Sequence, residues 1–439
     1  MTVHARPSKT AAELALADVY QSSRPVLPGG AVVVAQRDLA FEAYSRTGLP
    51  GKRLESWKYT DLRGLMAKGF PPAAVPGAAA CAATARAAGA LLAGLGLRRL
   101  VIVDGHLDLA NSDLANLEPG LTVLALAEVL ASDQPLLTSG SATAGNPMLA
   151  LNAALAADGV ALTIAPGANV ARPIHLAFVN TNVGTAAYTR SHVTVGAGAS
   201  VTLVESHEGP DGGPYQVNTA LEIAAGDGAA VEHIKIIREG DGAQHVGALL
   251  AELGARANLT TLTFTTSGAL IRNDLAVRLA GEAAVASIRG VSLLAGQQHA
   301  DTTLTVDHAA PGGQSRELFK AVVDDRARSV FQGRITVQQA AQQTDGKMMV
   351  RALLLSDDAR ADHKPELEIF ADDVQCGHGA TSGPLDEQLK FYLLARGIPE
   401  AEAKALLIQA FAAEAVDAVS HDGLREALSQ ATVNWLQER

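Results

Sequence analysis

One short run of the chain carries the residue types that soft metals favour: Asp372-Asp373-Val374-Gln375-Cys376-Gly377-His378-Gly379-Ala380-Thr381. If a strand continues through His378, the two-residue side-chain period puts Cys376 and His378 on one face. A thiolate beside an imidazole suits zinc, copper or iron–sulfur species. Gly377 and Gly379 leave the backbone room to approach a bulky ligand. Two donors do not complete a site, because structural zinc takes four and protein-held clusters usually take four as well. The remainder must come from a distant residue such as His363 or from another chain. Spacing alone leaves the commoner outcome for a lone Cys, a small buried apolar side chain, in competition with ligation.

Other catalytic signatures are missing from the sequence. There is no Gly-x-x-x-x-Gly-Lys-Ser/Thr loop, no Gly-x-Gly-x-x-Gly leading from strand to helix, no His-Glu-x-x-His, no Cys-x-x-Cys and no Gly-x-Ser-x-Gly. His207, His233, His299 and His308 fall in or near segments of β texture, where satisfied hydrogen bonds account for them. Trp57, one of only 2 Trp, and Tyr59 read as anchors of an N-terminal helical region.

The elements that must position Cys376 and His378 come from an uneven chain of 439 residues. It is 48% hydrophobic and 18% charged, which excludes a disordered polymer. Its formal net charge of −11 argues against nucleic-acid binding. The Ala/Gly/Leu-rich stretch from Phe70 to Leu97 is broken by Arg86, and its clean run from Ala87 is too short for a membrane span. The start, Met1-Thr2-Val3-His4-Ala5-Arg6, lacks an apolar block, so a cytoplasmic location is expected. With 2 Cys, far apart, a disulfide framework is not expected.

Residues 1–97 read as an N-terminal helical domain. It has an amphipathic run from Ala11 to Tyr20, a second helix from Asp38 to Arg46, and an Ala/Gly/Pro-rich linker or loose helix over Phe70–Ala90. Residues 98–381 read as β, with a recurring corner phrase. Gly198-Ala199-Ser200-Val201, Gly228-Ala229-Ala230-Val231, Gly254-Ala255-Arg256-Ala257 and Gly281-Glu282-Ala283-Ala284 lie 30, 26 and 27 residues apart. A strand, a small-residue corner and another strand at near-constant period predict a solenoid rather than an antiparallel meander or sandwich. Residues 382–439 return to helical periodicity, with helices from Leu385, Pro399 and Gly423. The expected class is mainly β, a solenoid flanked by helical domains.

The stretch Lys364-Pro365-Glu366-Leu367-Glu368-Ile369-Phe370-Ala371 and its continuation through Cys376-Gly377-His378 to Thr381 resembles the SufB/SufD family of iron–sulfur cluster assembly proteins. The likeness runs on through Phe391-Tyr392-Leu393-Leu394-Ala395-Arg396-Gly397-Ile398 and Ala410-Phe411-Ala412-Ala413-Glu414. The segment Glu55-Ser56-Trp57-Lys58-Tyr59-Thr60 looks like the SufD branch. The resemblance implies a right-handed parallel β-helix that pairs with SufB and binds the ATPase SufC through C-terminal helices, here at Leu406, Leu407, Ala410 and Phe411. It implies no catalysis by this chain. It places a nascent iron–sulfur cluster at Cys376 and His378, shared with SufB, and implies none in the isolated chain, which would then pair with itself. Two departures are Gly377, where the family often has Ser, and Met349-Val350-Arg351-Ala352, where an Asn-rich segment is usual. The rival readings are a homodimeric solenoid without a cluster role and a polysaccharide-active solenoid enzyme using Asp324, Asp325, Arg326 and Arg328.

Overall fold

The structure, a computed structural model, describes residues 8–137 and 145–438. The reading of residues 1–6 for a leader segment lies outside the described residues. Two sheets of ten and nine strands face each other, and from Asn169 to Gly383 successive strands alternate between them. Asn169–Val179 pairs in parallel with Arg98–Val103, and from Ala186 onward each strand pairs in parallel with the strand two before it, as in Val201↔Val231↔Leu259. That register is a parallel β-solenoid, and it excludes the antiparallel meander. Among the described residues, antiparallel pairing is confined to the opening turns, Arg98–Val103 with His106–Asp108 and Leu121–Ala125 with Val160–Ile164.

The corners explain the glycines, with one correction to the expected repeat. The residues that stack are Gly196, Gly226, Gly254 and Gly281, whose N–H groups donate to Ile164, Val195, Ala225 and Leu253 of the preceding coil. The left-handed positions two residues on are Gly198, Gly228, Arg256 and Ala283, with φ between 56° and 66°. The expected phrase matched the second glycine of two corners with the first glycine of the next two. The structural spacings are therefore 30, 28 and 27 residues. A Cβ on Gly281 would sit 2.0 Å from the backbone nitrogen of Ala255, so stacking itself demands glycine there.

Alternation along each strand makes three layers of core. Val201, Leu203, Val231, Leu259 and Ile288 fill the solenoid interior. The outward residues Ile234, Ile236, Leu262, Phe264 and Leu293 of the ten-stranded sheet are covered by helices Glu400–Val416 and Asp422–Gln437. Tyr188, Val246 and Leu270 on the outside of the other sheet meet helices Ala11–Ser23 and Pro147–Leu155.

The N-terminal helices start where chemistry permits. Thr10 and Glu13 form a capping box, each side chain accepting from the other's backbone N–H. The second helix runs from Ala31 to Thr47, not from Asp38. Its first N–H groups, on Val32 and Val33, donate to Asp133 about a hundred residues away in sequence, a cap that no local window reveals. Asp38 is instead inside the helix, holding Arg24 at 2.6 Å and accepting from the Tyr20 hydroxyl at 2.8 Å. Ala78–Ala87 is a helix with Cys81 and Ala85 buried. Trp57 anchors as expected: it is buried, with the Arg272 guanidinium 4.1 Å from its ring centre, and Thr60 donates to Asp301.

Candidate functional site

Cys376 and His378 lie on the strand Gln375–Gly383, the outer edge of the ten-stranded sheet. It pairs with Asp345–Leu354 in the register Gly346↔Cys376 and Met348↔His378. Gly346, Met348 and Val350 are the buried, inward-facing row of that neighbour. Cys376 and His378 therefore continue the interior row, but on a coil with no further coil to cover it. Cys376 is half-buried against the interior core and His378 is exposed. A Cβ in place of Gly346 would lie 3.6 Å from the Cys376 sulfur, an ordinary contact distance. The two donors line an open groove of about 400 Å³ with Lys347, Met348 and Met349. Burial pushes the Cys376 thiol up, and the Asp345 and Glu317 carboxylates act in the same direction against a hydrogen bond from the Gly346 backbone. The free thiol is thus protonated at neutral pH, and a cation is what would turn it into a thiolate ligand.

His363 sits in the last strand of the other sheet, in register with the buried Phe331, and its Nε2 is unpartnered. It does not complete the site: among the described residues, no group of three close donors includes Cys376, His378 or His363. Ile369 and Phe370 beside this second open edge are 41% and 62% exposed. On the helix Glu400–Val416, Leu406 and Ala410 face outward and Leu407 is half-buried. Phe411 packs against the solenoid under Lys320, whose ammonium is 4.2 Å from its ring centre. The structure thus does not put the four residues on one free face. The helix Glu387–Leu394 has no buried residue and exposes Leu389, Phe391 and Tyr392.

Of the residues offered for a polysaccharide enzyme, Arg328 is held by Asp362 at 2.7 Å. Asp325 builds a corner, with φ of 50° and its carboxylate accepting from the Gly296 N–H. Asp325 and Arg326 line an open groove of about 730 Å³ with Asp357 and Asp358, and Arg328 lies outside it.

The histidines separate into two kinds. His233 bonds Glu205 and Thr261, His299 bonds Thr60, and His308 bonds Ser315, as the plain structural reading expects. His207 is different. It is fully buried, with neither ring nitrogen partnered, and it stands with Glu239 and His245, their donor atoms within 4.8 Å of one another. The signal in the sequence was the alternation Glu205-x-His207 and His233-x-Lys235, polar residues on a row that is otherwise interior.

Fold and site define a class: parallel β-solenoid proteins that offer a thiol and an imidazole on their uncovered last coil. The chain matches the SUF system FeS cluster assembly, SufBD core domain over residues 178–411 and the SufBD protein N-terminal region over residues 10–176. It is 32% identical to the iron–sulfur cluster assembly protein SufD of Escherichia coli, over 87% of this chain and 88% of the relative. It is 31% identical to an iron–sulfur cluster assembly SufBD family protein of Synechocystis, over 91% and 90% of the two chains. SufD of Bacillus subtilis is 28% identical over 64% of this chain and 65% of the relative. The chain belongs to the SufBD family of iron–sulfur cluster assembly proteins. No helix among the described residues is long and apolar enough to cross a membrane.

Proposed function

We propose that this chain is the SufD-type scaffold subunit of a SufBCD complex, giving Cys376 and His378 to an inter-subunit site where a nascent cluster, the cargo of the system, is built. The observation that supports this reading is the pairing of a soft donor couple with an uncovered sheet edge. The pair is incomplete within the described residues, and the unpaired backbone groups of an edge strand favour pairing with another chain. SufB would extend the solenoid across that edge and supply the missing ligands. The ATPase SufC would dock on the C-terminal region through Leu406 and the exposed apolar residues of Glu387–Leu394. Nucleotide hydrolysis belongs to SufC, and this chain contributes no catalysis. Purified alone, the chain pairs with itself through the same edges. Residues 1–97, 98–381 and 382–439 act as docking brace, solenoid and ATPase-binding domain.

The test is anaerobic co-expression with SufB and SufC, reading subunit stoichiometry and visible cluster absorption. His378→Ala should leave the fold and the complex intact, because His378 is exposed, and lower cluster yield at least about tenfold. Unchanged yield from a variant that assembles normally would overturn the site assignment.

A further inference from the structure

We propose that His207, Glu239 and His245 form a second metal site, sealed inside the middle of the solenoid, for one divalent first-row transition cation. It is separate from the donor pair at the open end. His207 lies on the strand Ser200–Glu208, and six strand steps along the sheet separate that strand from Gln375–Gly383. At about 4.8 Å per step that is roughly 29 Å.

The donors converge from different parts of the fold. His207 comes from the ten-stranded sheet, His245 from the strand Ala243–Leu253 of the other, and Glu239 from the turn that joins the two sheets. The three residues are 0%, 0% and 2% exposed, so bulk solvent does not reach them. Both nitrogens of His207, Nε2 of His245 and Oε1 of Glu239 have no hydrogen-bond partner. A buried polar atom left unpaired is costly, and here four such atoms fall in one cluster. A cation converts them into ligands. His207 is held in orientation by stacking on Phe178, with ring centres 4.6 Å apart, and His245 is held by its Nδ1 contact with Glu239 at 3.0 Å.

The donor set selects the ligand class. Two imidazoles and one carboxylate suit zinc, ferrous iron and their neighbours, and are poor for calcium or magnesium, which take oxygens. Donors at bond lengths near 2.1 Å in a tetrahedral shell lie about 3.4 Å apart, against a spread of up to 4.8 Å here, so loading draws each side chain inward by about an ångström. Lys235 opposes the site. It is buried, and the space a Gly247 Cβ would fill is bounded by its ammonium nitrogen at 2.2 Å and by His245 Nε2 at 2.8 Å. Glu205 offsets that charge. The cation would tie the two sheets together across the interior.

The experiment uses the full chain, stripped with chelator and incubated for hours with Co²⁺ or Zn²⁺. It reads bound metal by elemental analysis, cobalt d–d absorption and the shift in melting temperature. We expect one cation per chain, retained when Cys376→Ser and His378→Ala are combined. Affinity should fall at least about 100-fold in Glu239→Gln and rise about tenfold in Lys235→Met. A purely structural Lys235–Glu239 interaction predicts destabilisation by Lys235→Met with no cation bound to it. No binding by the wild type overturns the proposal. So does binding lost with the Cys376/His378 pair, or binding that survives Glu239→Gln. If Glu239→Gln fails to fold by circular dichroism, the gain expected in Lys235→Met decides the question, and its absence overturns the proposal.

Discussion

The interior row of the solenoid carries donors in two places, and their surroundings differ. In the middle coils Glu205, His207, His233 and Lys235 are covered above and below and are almost fully buried. On the last coil Cys376 and His378 occupy the same kind of position with nothing above them. In a fold where each coil contacts only its neighbours, position along the stack decides what a polar side chain can do. Sealed donors must be satisfied by groups of this chain or by something trapped among them. Donors at the edge remain open to solvent. A thiol and an imidazole at the end of the molecule therefore go unpaired at little cost, whereas unpartnered nitrogens on the buried His207 are expensive.

The largest expected effect tests whether the two regions differ in packing as they do in exposure. A Cβ on Gly281 would meet the Ala255 backbone nitrogen at 2.0 Å, while a Cβ on Gly377 would meet nothing within 4 Å. Backbone cannot step aside as a flexible side chain can, so Gly281→Ala should cost about 3 kcal/mol or more. Gly377→Ala should stay within about 0.5 kcal/mol. Chemical denaturation of both variants checks this, and equal losses would break the distinction between stacked corner and open coil.

The next effect is electrostatic. Glu317 lies on the interior row in register with Met348 and His378, and burial pushes its carboxyl up to about 8. Between its unfolded value of 4.5 and its folded value, the native state keeps a proton that the unfolded chain releases. Stability therefore falls as pH rises from 5 to 8, with a loss on the order of 3 kcal/mol from this group. Glu317→Gln, a neutral isostere, should flatten that slope in urea titrations across the same range. A slope unchanged by the substitution would mean that the carboxyl is ionised and water-exposed, and that the interior is open as far as this coil.

Much of this architecture was legible in the sequence, for physical reasons. A stacked corner can hold only small residues, so its repeat surfaces as Gly and Ala at a fixed period. Two donors separated by one residue in a strand must share a face. The register of that repeat was misread because Gly198 and Gly254 look alike in sequence, whereas one serves a left-handed turn and the other a tight contact between coils. The start of the helix Ala31–Thr47 was hidden because its cap, Asp133, comes from elsewhere in the chain. The cluster of His207, Glu239 and His245 was hidden for the same reason: three coil positions become neighbours only after the solenoid closes. Phe411 belonged to a helical face that looked uniform until the solenoid wall and Lys320 claimed part of it.

The smallest effect sharpens the comparison from the open end. Asp345 is the first residue of the strand beneath Cys376's strand, and the Arg316 guanidinium beside it holds its carboxyl below the ordinary value of 3.8. Its sign is opposite to that of Glu317. The folded state favours the ionised form, so the contribution is present above the unfolded pKa and is lost as pH falls below about 4. Arg316 and Asp345 are 42% and 28% exposed, and solvent screening limits the pair to about 0.5 kcal/mol. Asp345→Asn should therefore leave stability at pH 7 nearly unchanged and soften the acid limb slightly. The same substitution removes a negative charge that helps keep the Cys376 thiol protonated. Thiol alkylation by iodoacetamide, followed against pH, should shift its midpoint downward. A shift in the other direction would mean that Asp345 acts on the thiol by shielding it from water rather than through its charge.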